Sequence, residues 1–120
     1  MRFIVADDSQ IARGMLEGAI VNDCGHEVVG EALNGQQAIA LCRELRPDVV
    51  ILDVNMPPLN GDEAAETIRS EGVAGKIIIA SLARHCLPGF KARGFGTLAK
   101  PYKREQLARE IREVLDEPAG

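Results

Sequence analysis

Five side chains in this 120-residue sequence sit at the ends of apolar runs, and together they suggest one chemistry. Asp7 and Asp8 follow "FIVA", Asp53 ends the run in "DVVILDVNMPPLNG", Ser81 ends "KIIIAS", and Lys100 follows "GTLA". A carboxylate taken out of water needs an ion pair, hydrogen bonds or a metal. Three carboxylates and one ammonium sum to −2, a charge that one divalent cation neutralises. The donors are all oxygens, which indicates a hard ion. Mg²⁺ takes six oxygen ligands and keeps several waters, and so suits two or three carboxylates plus a backbone carbonyl. No Asp/Asn/Gly loop of the calcium-binding spacing is present.

The other two groups point to a phosphoryl group. Lysine is a mobile point charge suited to phosphate oxygens, and a serine hydroxyl can donate to them. An aspartate can itself be the nucleophile and form an aspartyl phosphate, whose loose transition state chiefly needs its equatorial oxygens neutralised. Asp7 and Asp8 are adjacent and would be engaged by the ion and Lys100, whereas Asp53 stands alone opposite them. Asp53 is therefore the candidate nucleophile, with Lys100 and Ser81 neutralising the transferred group.

These residues converge only if the chain between them folds suitably. The apolar runs 3–6, 28–32, 49–54, 76–81 and 96–99 read as five strands, each followed by a polar or Gly/Pro-containing turn. Ile11, Met15, Leu16, Ala19 and Ile20 fall on one side of a first helix, with Ser9 as its N-cap. Ala38, Leu41, Cys42 and Leu45 mark a second helix that Pro47 limits. Ala64, Ala65 and Ile68 carry a third over 62–71, stopped by Gly72. Pro88 and Gly89 allow only a short fourth helix, starting near Leu87 with proline in its first turn. Leu107, Ile111, Val114 and Leu115 define a fifth, and the closing "DEPAG" suits a frayed tail.

Strict alternation of strand and helix implies a parallel sheet covered on both faces through right-handed crossovers. Runs one, three and four are almost wholly apolar, as central strands should be, while Gly30 and Glu31 in run two and Gly96 and Thr97 in run five fit edges. The order is then 2-1-3-4-5, an α/β flavodoxin-like doubly wound sheet with five helices, whose ligands bind at the carboxyl ends of the strands where the winding reverses. All five chemical side chains lie at that edge. Each alone could merely cap a helix or make a surface pair; four such coincidences at one edge argue against that reading.

Composition closes other routes. The length fits one domain over residues 1–120, and no apolar stretch reaches the ~18–20 residues needed to cross a bilayer. "MRFIVADD" turns acidic too soon for a signal peptide. Eighteen acids against fourteen bases leave a charge of −4, which repels nucleic acid, and with no Trp and one Tyr there is no stacking platform for bases. Cys24, Cys42 and Cys86 show no metal-type spacing with His26 or His85 and read as reduced thiols of a cytoplasmic protein.

With these motifs in place, the sequence resembles the receiver domains of two-component response regulators, from "FIVADDS" through "DVVILDVNMPPLNG" and "IIIAS" to "LAKP" and the last helix. The resemblance implies a histidine kinase or histidine phosphotransfer protein that donates a phosphoryl group to Asp53. It further implies Mg²⁺ held by Asp8, Asp53 and the backbone carbonyl of Asn55, with Asp7 acting through water. Lys100 would contact the phosphoryl oxygens, the Lys100–Pro101 bond would be cis, and Ser81 would move toward the new phosphate. A target would dock on the face of strand five and helix five, with Lys103, Arg104, Arg109 and Arg112. Such a domain is a switch, of chemotaxis or phosphorelay type, catalysing only its own phosphotransfer and dephosphorylation, and a monomer or weak dimer.

The sequence also departs from the pattern. Thr97 stands where such proteins carry a Tyr or Phe that follows the hydroxyl residue; Phe90 and Phe95 lie nearby, and the simpler reading makes both core. Leu82 replaces a small residue and would narrow access to Asp53. The interrupted fourth helix suggests coupling through order and disorder there.

Other classes fit less well. An aspartyl-phosphate phosphatase needs an acid two residues past the nucleophile, where this chain has Asn55. A receiver-like module that is not phosphorylated would lack an acid or the lysine. "GVAGK" has the wrong spacing for a phosphate loop. Met1, two residues before strand one, favours a stand-alone receiver over a fragment of a larger regulator with a DNA-binding or enzymatic output domain.

Overall fold

Alternation along each central strand assigns its side chains to two cores. In a computed structural model that describes residues 1–117, β1 (Arg2–Ala6), β3 (Val49–Asp53) and β4 (Lys76–Ser81) form the middle of a five-stranded sheet. Ile4, Ala6, Val50, Leu52, Ile77 and Ile79 face one layer, with Ala38, Ile39, Cys42, Ala64, Ala65 and Ile68. Phe3, Val5, Val49, Ile51, Ile78 and Ala80 face the other, with Leu16, Ile20, Leu107 and Ile111. A period of two sends successive residues to opposite sides, so a strand buried on both must be apolar throughout.

The order is β2-β1-β3-β4-β5, with β2 (Glu27–Ala32) and β5 (Gly96–Ala99) at the edges and every pairing parallel. The flavodoxin-like order read from composition is therefore the observed one. Glu31 is exposed, as an edge strand allows, and the β1–β2 register shifts between Phe3 and Ile4.

Five α-helices join the strands: α1 (Gln10–Glu17), α2 (Gly35–Leu45), α3 (Gly61–Glu71), α4 (Leu87–Ala92) and α5 (Arg104–Asp116). Ser9 caps α1 as expected, its Oγ accepting from the Ala12 N–H at 3.2 Å. Gly72 ends α3 in the left-handed region at φ 65°, where glycine carries no Cβ penalty. Arg46 takes the same role after α2, at φ 48°, with Pro47 following. The short α4 has Pro88 in its first turn and follows a 3₁₀ turn over Arg84–Cys86.

Three expectations need correction. Ile11 does not join the buried side of α1: it is 79% exposed, and the buried stripe is Ala12, Leu16, Ala19 and Ile20. The first helix also runs on into a π-helical segment, Gly18–Asp23, whose wider turn no periodicity of 3.6 describes. Of the "DEPAG" tail, Asp116 closes α5 and the Glu117 carbonyl accepts from Lys76 Nζ at 2.9 Å, while 118–120 lie outside the described residues.

The far end of the sheet is tied by charge. Arg93, just after α4, pairs with Glu66 of α3; Arg69 donates to the Arg93 carbonyl and lies 4.2 Å from the centroid of the Phe95 ring. Phe95 is buried and Phe90 packs against the same core, so both are core residues, as the simpler reading held. Cys42 is buried, which pushes its thiol up to about 11, whereas Cys86 is exposed.

Candidate phosphoacceptor site

At the carboxyl edge of the sheet, three strand ends extend the alternation into charge. Val5, Ile51 and Leu98 all face the α1/α5 layer, and two residues on from each stand Asp7, Asp53 and Lys100. The period of two therefore delivers both acids and the lysine to one side of the sheet. They line a cleft of about 390 Å³ with Asp8, Ser81, Asn55 and Leu82.

The cation bridges the acids. Lys100 Nζ lies 2.8 Å from Asp7 Oδ2 and 3.4 Å from Asp53 Oδ2. Asp7 is 1% exposed and also accepts from the Ser9 N–H at 2.9 Å. Asp8 is exposed, and oxygens of Asp7, Asp8 and Asp53 lie within 4.8 Å of one another. That spacing suits a hard divalent cation, and the open side at Asp8 leaves room for its waters.

Ser81 is buried, and its Oγ accepts from the Ala83 N–H at 3.0 Å, while its carbonyl accepts from the Lys100 N–H at 2.9 Å. Asn55 is exposed at the cleft, and its backbone N–H donates to Asp53. Lys100–Pro101 is cis, as is Pro57–Pro58, which the sequence reading did not foresee. Leu82 lines the same cleft as Asp53 and is 69% exposed.

Protonation follows from this packing. Burial and the neighbouring charge of Asp7 raise the Asp53 carboxyl above its ordinary 3.8, and Lys100 and the Asn55 N–H only partly offset them. For Lys100, burial opposes the charge, but the hydrogen bond to Asp7 and the charges of Asp53 and Asp7 outweigh it and raise its pKa above 10.5. A raised carboxyl stabilises the fold below the unfolded-state pKa, and that contribution is lost as pH rises through the folded value. Ionised Asp53 is thus a net cost at neutral pH. Two carboxylates whose oxygens lie within 4.8 Å of one another repel by roughly 3 kcal/mol at an effective dielectric of about 20, before Lys100 is counted. Asp53→Asn is expected to raise stability at pH 7 by about 1 kcal/mol, and the gain should vanish in acid below the ordinary carboxyl value. Urea melts across pH check it; a variant less stable than wild type at pH 7 would contradict the charge argument.

Residues 3–112 match the family described as "Response regulator receiver domain". The chain belongs to the response-regulator receiver family. This receiver domain is 32% identical over 116 residues to the chemotaxis protein CheY of Thermotoga maritima, covering 94% of the chain and 96% of CheY. It is also 32% identical over 114 residues to the nitrate/nitrite response regulator NarL of Escherichia coli K12, covering 92% of the chain and 53% of NarL. Its fold matches the crystal structure of the response regulator domain of Thermotoga maritima CheB with a TM-score of 0.81 at 29% identity, covering 98% of each chain. The receiver domain thus spans nearly all of one curated relative and about half of another. Among the described residues no helix is long and apolar enough to cross a membrane.

Sequence reasoning missed two residues at this site. Gly61, inside the quoted stretch around Asp53, lies against the Asp53 carbonyl. Tyr102 sits buried beside Lys100, with the lysine Nζ 5.8 Å from its ring centroid. The alternation Leu98–Lys100–Tyr102 was the available signal for the second.

Proposed function

We propose that this receiver domain is a phosphorylation-dependent switch that takes a phosphoryl group from a phosphohistidine onto Asp53. The observation that carries the reading is Lys100 lying between Asp7 and Asp53 in one cleft, with Asp8 completing a set of carboxylates within 4.8 Å. In the transfer, an Asp53 carboxylate oxygen attacks phosphorus, the P–N bond to the donor imidazole breaks, and the imidazole takes a proton from solvent. Mg²⁺, when bound, supplies positive charge to the equatorial oxygens. Asp8, Asp53 and the Asn55 carbonyl would hold it, with Asp7 acting through water.

The chain's own groups do the rest. Lys100 shifts from the carboxylates toward the new phosphoryl oxygens, keeping its charge because its pKa is raised. Ser81 Oγ turns from the Ala83 N–H to donate to the phosphate. Asn55 has no proton-transferring carboxyl, which favours a lasting phosphoryl group over rapid turnover. The donor is a histidine kinase or histidine phosphotransfer protein. The target is a protein that reads β5 and α5, where Lys103, Arg104 and Arg109 are exposed and Arg112 is partly engaged by the Asp23 carbonyl at 2.7 Å.

Intact mass after incubation with Mg²⁺ and acetyl phosphate tests the reading. One phosphoryl group is expected, absent with a chelator and absent in Asp53→Ala folded by circular dichroism. No gain in wild type, or a gain that survives in Asp53→Ala, would overturn it.

A further inference from the structure

Tyr102 is buried, 8% exposed, and among the described residues its hydroxyl is the buried side-chain oxygen without a hydrogen-bond partner. A buried polar group left unpaired destabilises the conformation that contains it. The position also matters. The ring lies in the core cluster that holds Leu98, Leu107 and Ile111, the last two being the inner face of α5, and its aromatic system meets Lys100 Nζ at 5.8 Å from the centroid. That is within the range at which an ammonium is attracted to an aromatic ring. One side chain thus touches the cation of the cleft and the packing of α5.

We propose that Tyr102 is a positioning residue that couples filling of the Asp53 cleft to α5, its hydroxyl unpaired in the resting conformation and hydrogen-bonded in the filled one. The inference rests on the phosphoacceptor reading above. When an anionic group occupies the cleft, Lys100 moves off Asp7 toward it and its contact with the ring changes. The ring then resettles between Lys100 and Leu107, pairs its hydroxyl, and shifts α5. The phenol stays neutral throughout, since burial and the charges of Asp7 and Asp53 push its ionisation well above the ordinary value, so it remains a donor. The resting conformation carries the unpaired hydroxyl and the filled one does not, so the hydroxyl tilts the balance toward the filled state.

The test uses beryllofluoride with Mg²⁺ as a phosphoryl mimic. The chain has one Tyr and no Trp, so its tyrosine fluorescence belongs to Tyr102 alone. On titration of wild type, tyrosine fluorescence should change in step with amide shifts at Asp53. Tyr102→Phe keeps the ring and removes the hydroxyl. It should leave resting stability unchanged or raised, and weaken beryllofluoride binding about fivefold to thirtyfold, the ratio one lost buried hydrogen bond sets. Unchanged affinity, a silent tyrosine signal during binding, or a less stable resting Tyr102→Phe would overturn the proposal while leaving the phosphoacceptor reading intact. Failure of wild type to bind the mimic would overturn both.

Discussion

Lys100→Met is expected to lower stability at pH 7 by about 2 kcal/mol or more, because it leaves Asp7 and Asp53 facing each other without their shared cation. Breaking a fully buried pair costs about 3–5 kcal/mol. The lower figure reflects the open side of the cleft at exposed Asp8. The sign of the pH dependence is set by the same groups. In wild type, Lys100 has a raised pKa, so its contribution is complete below 10.5 and lost only as pH climbs through the higher folded value. In the variant the Asp53 carboxyl loses the lysine that offsets its rise, and protonating it relieves the repulsion. The deficit should therefore shrink steadily as the solution is made acid, and Mg²⁺ should restore stability more strongly than in wild type. Denaturant melts with and without Mg²⁺ at several pH values read both effects. A pH-independent deficit would mean the lysine acts through packing of its methylenes instead.

Gly61→Ala is expected to cost about 3–5 kcal/mol, among the larger effects of a single substitution. A Cβ at Gly61 would overlap the Asp53 carbonyl oxygen and lie 2.7 Å from its carbonyl carbon. Both are backbone atoms of a strand paired with β4, so neither can swing aside as a flexible side chain could. The Gly61 N–H also donates to the Val54 carbonyl at 3.0 Å, which closes the loop that carries Asn55. The Asn60 side chain accepts from the Met56 N–H at 3.0 Å inside the same loop. Relieving the overlap would push α3 off the end of β3 and displace Asp53 with it. A lower urea midpoint and weaker Mg²⁺ binding in the folded fraction are the expected readings. Wild-type stability in the variant would show that the start of α3 can slide.

How much of this was visible in the sequence depends on the range of the interaction. The five strands, their order and the gathering of Asp7, Asp53 and Lys100 follow from patterns within a few residues, because a strand buried on both faces has to be apolar and its end has to meet the turn. The exposure of Ile11 does not: a periodic stripe says which residues share a side of α1, but the sheet meets the helix one residue further round, along Ala12 and Leu16. The π segment, the Gly61 approach and the Arg93–Glu66 pair depend on where separate elements meet. Tyr102 was passed over because the reading of that edge stopped at the charged residues.

The Asp7–Lys100 contact joins residues 93 positions apart, one just past the first strand and one just past the last. Of all the contacts in the cleft, it closes the longest loop, so β5 must be seated before the acids have their cation. During synthesis the two aspartates emerge long before the lysine, and a chain halted before β5 would hold acids with no counter-charge. The cleft proposed to take a phosphoryl group is then assembled only once β5 is seated, which ties its charge balance to the folding of the last strand of the sheet.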